Sequence, residues 1–81
     1  DSIEAETKQV MDNMKAVLKE AGMNFDHVVK ASIFISNMDD FNQINTVYNQ
    51  YFTSDYPARE TVQVARLPKD VNVEISMIAV K

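Results

Sequence analysis

The first part of the chain repeats apolar residues at intervals of three and four positions. This spacing runs from Ile3 to Ala21 and is that of one helical stripe, so it predicts an amphipathic helix over the first 22 residues. Asp1 and Glu4 have the spacing of a capping box at the start of that helix. Gly22, the only glycine of the chain, supplies the left-handed residue that commonly ends a helix.

The next two predicted elements are a strand and a second helix. β-Branched and aromatic residues over residues 27–36 predict the strand. Its predicted inner face consists of alternate residues: Val29, Ala31, Ile33 and Ile35. Asp39 or Asp40 is the predicted N-cap of the second helix, which the apolar spacing extends over residues 41–52.

Alternating residues near the C-terminus predict two further strands, over residues 59–66 and 71–80, joined by a turn over residues 67–70. Symmetric pairing across that turn predicts a hairpin with one apolar face. The predicted pairs are Val64 with Val73 and Val62 with Ile75. The opposite face of the hairpin then carries the polar residues: Arg59, Thr61, Gln63, Glu74 and Ser76.

The predicted order is helix–strand–helix–strand–strand, which describes a single α+β domain over residues 1–81. Two helices can cover one face of a three-stranded sheet, and the other face then stays uncovered. A sheet this small is marginal by itself. We therefore expect either association of copies through that face or additional strands ahead of Asp1.

Composition and charge narrow the classes of function. Apolar residues make up 46% of the chain, which suits one small folded core. The net charge is −4 and the basic residues are scattered, which disfavours binding to nucleic acid. The absence of cysteine and the single histidine exclude thiol chemistry and a histidine-rich metal site. With no apolar run of membrane length, the sequence predicts a soluble, cytoplasmic protein that uses no metal or organic cofactor.

Two charged residues of the C-terminal strands are candidates for chemistry. Arg59 stands at a strand start, and its planar guanidinium can bind a carboxylate through two hydrogen bonds. The alternative is a solvated arginine at the end of a strand. Glu74 stands in mid-strand, where a carboxylate can orient or deprotonate a water molecule. The alternative is an outward-facing charge that protects an edge strand from aggregation.

Thr61 and Asn45 are further candidates. Thr61 shares the predicted face of Arg59 and can donate a hydrogen bond beside a bound anion, or it is an ordinary strand residue. Asn45 lies inside the second helix and can reach a ligand, or it is simply exposed. In the predicted register Glu74 is roughly 13–14 Å from Arg59, at about 3.3 Å per residue. This distance favours a site shared between two copies of the chain.

The segment from Pro57 to Val80, PARETVQVARLPKDVNVEISMIAV, resembles the C-terminal signature of the RidA/YjgF family of imine deaminases. Earlier segments agree in order. IEAETKQVMDNMKAVLKEAG resembles the first helix of that family, FDHVVKASIFISNMDDF its following strand and turn, and INTVYNQYF its second helix. The resemblance implies an α+β fold of the chorismate mutase-like type. Family members carry further strands before the first helix, so it also implies that this sequence corresponds to their C-terminal portion.

The same resemblance implies a function. Family members hydrolyse reactive 2-imino acids to 2-keto acids and ammonia, without a cofactor, in clefts between the subunits of a homotrimer. Arg59 matches the arginine that binds the substrate carboxylate, and Glu74 matches the glutamate that positions the attacking water. Asn45 matches a helix asparagine near the pocket, and Thr61 stands where many members have cysteine. Other pocket residues come from the additional strands, so we expect these 81 residues alone to be incomplete as an enzyme.

Two other classes of function stay open. Some relatives are linked to ligand binding, regulation or chaperone-like action without turnover. Others are described as ribonucleases that inhibit translation. The acidic net charge and the lack of a histidine pair for acid–base catalysis count against the ribonuclease hypothesis.

Overall fold

The structure, a computed structural model, describes residues 2–53 and 56–81. Its main elements follow in chain order: helix α1 (Ile3–Glu20), strand β1 (Val28–Ile35), helix α2 (Phe41–Asn49), strand β2 (Ala58–Gln63) and strand β3 (Val73–Ala79). One-turn 3-10 helices span Phe25–His27, Met38–Asp40 and Pro68–Asp70. The order of helices and strands is the predicted one.

Local hydrogen bonds close both ends of α1. The side chain of Ser2 accepts from the backbone N–H of Ala5 at 3.1 Å and is the N-cap. The predicted cap, Asp1, lies outside the described residues. At the other end Gly22 has a φ of +73°, and the N–H of Met23 donates to the carbonyl of Leu18 at 2.8 Å. This is the Schellman closure that needs a left-handed residue, so the predicted role of Gly22 is confirmed.

Helix α2 is shorter than predicted. It begins at Phe41, as expected, and ends at Asn49 rather than near Phe52. Asp40 occupies the predicted N-cap position, but its side chain makes no capping hydrogen bond. The N–H groups of residues 50–52 donate to carbonyls three positions back instead of four. The chain therefore tightens into a 3-10-like turn and leaves the α-helix.

Strand β1 is the centre of the sheet, whose order is β2-β1-β3. β2 runs parallel to β1 after the α2 crossover, and β3 runs antiparallel to β1. The predicted hairpin of β2 with β3 is therefore wrong, because β1 lies between these two strands. The chain from β2 to β3 passes the end of β1, where the N–H of Val64 donates to Ile35 at 2.9 Å and that of Ser36 to Asn72 at 3.1 Å.

The register divides the sheet into a face covered by the helices and an open face. Residues paired across neighbouring strands point to the same side. The covered face has three rows: Arg59–Ala31–Met77, Thr61–Ile33–Ile75 and Gln63–Ile35–Val73. The open face also has three rows: Ala58–Lys30–Ile78, Glu60–Ser32–Ser76 and Val62–Phe34–Glu74. The predicted pairs Val64–Val73 and Val62–Ile75 are absent from both sets.

Two predicted face assignments change with this register. Val62 belongs to the open face, where 40% of it is exposed, instead of the covered one. Arg59, Thr61 and Gln63 share the covered face, whereas Glu74 and Ser76 are on the open face. At the start of β1, Val28 is buried and Val29 is exposed, because the register shifts between Val28 and Lys30. The prediction that Val29 shares a face with Ala31, Ile33 and Ile35 is therefore wrong.

The hydrophobic core lies between the covered face and the two helices. Its most deeply buried side chains include Met11 of α1, Ile33 and Ile35 of β1, and Ile44 and Tyr48 of α2. Burying a side chain of this size contributes roughly 1.5–3 kcal/mol to stability. This packing fixes α2 above the sheet and beside the start of β2, where Arg59 lies.

Candidate functional site

Arg59 lies at the start of β2 and reaches from the covered face to α2. The guanidinium nitrogen Nη1 of Arg59 donates a hydrogen bond to Oδ1 of Asn45. The central carbon of the guanidinium lies 5.2 Å from the centre of the Tyr48 ring and 5.7 Å from that of the Phe41 ring. Both distances are those of cation–π contacts. The arginine is therefore exposed but held, rather than a freely solvated side chain.

The three partners of Arg59 share one stripe of α2. Phe41, Asn45 and Tyr48 are separated by four and three residues, a spacing that aligns side chains on one side of a helix. Tyr48 is only 2% exposed, because the same stripe packs into the core next to Phe52, with ring centres 4.9 Å apart. Core packing of α2 thus determines where Asn45 and the two rings meet the arginine.

Two buried hydroxyl groups lie close to Arg59 in the fold. Thr61 follows Arg59 by two residues on the same face of β2, about 7 Å along the strand. Neither Thr61 Oγ1 nor the Tyr48 hydroxyl has a hydrogen-bond partner among the residues that the structure describes. Buried polar groups are normally paired. Burial raises the pKa of Tyr48, and the positive charge of Arg59 partly opposes that rise, so Tyr48 is neutral at physiological pH.

An open pocket of about 400 Å³ adjoins the arginine. Its lining is formed by Tyr48, Asn49, Tyr56, Pro57 and Arg59. A volume of this size fits a small organic acid. The guanidinium is the cationic group of this lining, so the pocket suits a ligand with one carboxylate.

Glu74 is not part of this pocket within one chain. It is exposed on the open face, in the row of Phe34 and Val62, whereas Arg59 lies on the covered face. The predicted sharing of one face by Glu74 and Arg59 is therefore wrong. The cause is the sheet order. With β1 in the centre, residues 59, 61 and 63 of β2 point to the covered face, whereas residues 74 and 76 of β3 point to the open face.

The single histidine has a local structural role. His27 Nδ1 accepts a hydrogen bond from the backbone N–H of Asn24 at 3.0 Å, within a capping box of the 3-10 helix Phe25–His27. Over residues 2–53 and 56–81, no three histidine, aspartate or glutamate side chains gather in a way that would hold a metal ion. In the same part of the chain, every helix is too short or too polar to cross a membrane.

Sequence reasoning found part of this site. The structure brings the candidates Arg59, Asn45 and Thr61 to one side of the sheet, and leaves Glu74 on the other. Sequence reasoning missed the contacts of Phe41 and Tyr48 with Arg59, because the apolar spacing over residues 41–52 indicates only helix packing. The available signal was their spacing around Asn45, which places two aromatic faces next to any cation that the asparagine binds. The functional roles of all these residues stay predictions.

Comparisons with known proteins agree on one family. The sequence model of the family described as Endoribonuclease L-PSP matches residues 1–81. The chain is 50% identical over 80 residues to a RutC family protein of Synechocystis, covering 98% of this chain and 62% of that protein. It is 45% identical over 76 residues to the human 2-iminobutanoate/2-iminopropanoate deaminase, covering 94% of this chain and 56% of that protein.

The fold agrees with solved structures of the same kind. E. coli TdcF with bound serine superposes with a TM-score of 0.96 at 40% identity, covering 100% of this chain and 66% of that one. This chain thus spans less than two thirds of the length of these relatives. The predicted α+β fold of the RidA/YjgF type is confirmed. Because the family model extends over every residue, the chain belongs to the Endoribonuclease L-PSP family, which includes the RidA and RutC proteins.

Proposed function

We propose that the protein hydrolyses small 2-imino acids to 2-keto acids and ammonia. The observation that carries this proposal is the guanidinium of Arg59, held against an open pocket by Asn45 and two aromatic rings. The name of the human relative supports the same chemistry. This chain spans only part of the length of its relatives, so the activity is proposed for the whole protein that contains it.

The proposed reaction needs little from the protein. Water adds to C2 of the protonated imine, the C–N bond then breaks, and a 2-keto acid and ammonia leave. A protonated imine is already electrophilic, so the protein has to hold the anion and orient the water. Arg59 binds the carboxylate, and Asn45 keeps the guanidinium in place. The Thr61 hydroxyl, which lacks a partner among the described residues, is the proposed hydrogen-bond donor to the substrate, but within one chain it is buried and does not line the pocket.

The water-positioning residue of the proposed site is Glu74 of a neighbouring copy. Glu74 and Arg59 are on opposite faces of one sheet, so two copies are needed to bring these groups to one substrate. The open face that carries Glu74 also exposes apolar surface, with Ile78 57% and Val62 40% exposed. Such surface favours association. We propose a homotrimer in which the open face is covered and three sites form between subunits.

Substitution of Arg59 tests the proposed function. The assay follows 2-keto acid formation when a threonine dehydratase supplies 2-iminobutanoate to the purified protein that contains this sequence. Arg59→Ala and Arg59→Lys should lower the protein-dependent rate by roughly 10- to 150-fold, because charged hydrogen bonds to a carboxylate contribute roughly 1.5–3 kcal/mol. Lysine keeps the charge but not the planar pair of donors.

The other arginine of the chain provides the matched control. Arg66 pairs with Asp70 through two hydrogen bonds, of 2.5 and 3.1 Å, on an exposed part of the molecule. Arg66→Ala should retain activity within about twofold, since exposed ion pairs contribute little. Full activity of Arg59→Ala, or an equal loss in Arg66→Ala, would contradict the role of Arg59. A wild-type protein without acceleration would contradict the proposed function.

Ribonuclease activity, which the family description names, has less support. The net charge is −4, and the single histidine is engaged in the capping box of Asn24. RNA cleavage by backbone attack needs an acid and a base, together with cations for the phosphates. Cleavage of RNA by highly purified protein, lost in Arg59→Ala, would favour that function. Binding of 2-keto acids without turnover would favour a regulatory one.

A further inference from the structure

We propose that Tyr48 is a positioning residue, which together with Phe41 fixes the plane of the Arg59 guanidinium at the pocket. A long exposed side chain normally samples many rotamers, and ordering it costs up to about 2 kcal/mol. Here α2 contacts the same guanidinium with a ring at 5.2 Å, a second ring at 5.7 Å and an amide oxygen. The arginine is thereby oriented before any ligand binds.

Tyr48 has features that simple core packing does not require. Its ring is 2% exposed and lies against a cation, while its hydroxyl finds no partner among the described residues. A cation–π contact strengthens when water is excluded from the ring. A tyrosine of ordinary pKa is already neutral at physiological pH, and burial raises the pKa of Tyr48 further, against the opposing charge of Arg59. The aromatic face, and not the hydroxyl, is therefore the part that acts on the arginine.

The fixed plane matters for recognition of an anion. Because Nη1 of Arg59 donates to Asn45, the other N–H groups of the guanidinium can face the pocket as a planar pair of donors. A guanidinium free to rotate would lose entropy on binding and hold the carboxylate less tightly. The inference rests on the proposed function only for the identity of that anion.

Nitrogen-15 NMR of the arginine Nε–H groups tests the orientation directly, without catalysis. The signals of Arg59 and Arg66 are assigned by their loss in Arg59→Lys and Arg66→Lys. In Tyr48→Leu, the Arg59 signal should lose its ring-current shift, and its heteronuclear NOE should fall. Tyr48→Phe keeps the ring and should leave both unchanged, because the hydroxyl makes no hydrogen bond to the arginine.

Phe52→Leu is the matched control, since Phe52 is also a buried core aromatic residue and its ring centre lies 4.9 Å from that of Tyr48. It perturbs the core without removing a ring from the arginine, so the Arg59 signal should stay in place. Phe41→Leu removes the half-buried second ring and should also lower the heteronuclear NOE of the Arg59 signal. This second variant tests the inference if Tyr48→Leu does not fold. An unmoved Arg59 signal in the folded Tyr48 and Phe41 variants, or an equal change in Phe52→Leu, overturns the inference.

Binding of 2-oxobutanoate adds a functional readout. The Kd should rise roughly three- to tenfold in Tyr48→Leu, the range expected from one cation–π contact of about 0.7–1.4 kcal/mol, and should rise less in Tyr48→Phe, which keeps the ring. An equal loss in both variants would assign the effect to the hydroxyl and contradict the inference. Failure of the wild-type protein to hydrolyse the imine would remove the proposed function, while the NMR result would still decide the role of Tyr48.

Discussion

Tyr51 and Asp12 form a hydrogen bond that joins the chain after α2 to α1. The Tyr51 hydroxyl donates to Asp12 Oδ1 at 2.7 Å, and Lys8 holds Oδ2 of the same carboxylate at 3.0 Å. Burial, and then the bond to Asp12, raise the pKa of Tyr51 to about 12. The bond from Tyr51, and then that from Lys8, lower the pKa of Asp12. Both shifts couple folding to pH.

We expect the free energy of unfolding to fall between about pH 10 and pH 12, because Tyr51 loses its proton more easily in the unfolded chain, near the ordinary value of about 10. Tyr51→Phe should remove this part of the alkaline loss. It should also reduce the loss below about pH 4, where the stabilisation by Asp12 disappears as the pH falls through its lowered pKa. Urea unfolding across the pH range measures both. Tyr56→Phe, at a tyrosine 58% exposed, is the control, and an unchanged alkaline slope in Tyr51→Phe would contradict the coupling.

Residue types predicted the polar half of the candidate site and concealed its aromatic half. Arg59 stood out because its planar guanidinium at a strand start can bind a carboxylate, and Asn45 because asparagine is a poor helix former. Tyr48 did not, because an aromatic residue on a helical stripe predicts core packing, and Tyr48 does pack in the core. One ring serves both purposes, and only the structure reveals its contact with the guanidinium.

At the scale of elements, local signals were reliable and pairing was not. The ends of α1 depend on residues next to them, such as Gly22, and were predicted within two positions. Strand order depends on the α2 crossover, which inserts β1 between β2 and β3. A turn-centred pattern contains no information about that insertion, so a symmetric hairpin looked equally consistent.

Asn72 joins three elements at the end of the connection from β2 to β3. Its backbone N–H and side-chain amide donate to the two carboxylate oxygens of Glu6, at 2.7 and 3.0 Å. Its Oδ1 accepts from the hydroxyl of Ser36 at 3.1 Å. The start of β3 is thereby attached to α1 and to the end of β1, which holds the non-local strand order in place.

Asn72→Ala should lower the free energy of unfolding by about 1–2 kcal/mol, because two side-chain hydrogen bonds are lost, one of them to a carboxylate. Thermal unfolding should show a Tm lower by roughly 5–10 °C for a domain of this size. Asn13→Ala is the control: Asn13 is exposed, and its side chain accepts a hydrogen bond from Gln9 within α1 at 2.8 Å, so its loss should stay below about 0.5 kcal/mol. Equal effects of the two substitutions would show that Asn72 does not act as a junction.

At the scale of the whole molecule, the number of elements predicted a sheet covered on one side only. Two helices and three strands leave one face open, and the structure has this arrangement. The residues of that face were partly misassigned, because β2 pairs with β1 rather than with β3, and this pairing decides which alternate residues of β2 face the helices. Val62 was expected in the core and is 40% exposed beside Phe34, while Glu74 completes the same row.

The open face should form the contacts of the proposed homotrimer, and Val62→Glu tests this. Another carboxylate beside Glu60 and Glu74 would have to be desolvated in the assembled protein, which is costly without a cationic partner. We expect light scattering coupled to size exclusion to give three chains for the wild type and one for the variant. Val17→Glu makes the same change on α1, at a valine 64% exposed, and should remain trimeric. Loss of the trimer should also lower the rate of imine hydrolysis, since Arg59 and Glu74 of one chain are on opposite faces. A wild-type protein that is monomeric, or a Val62→Glu variant that is still trimeric, would refute the proposed assembly.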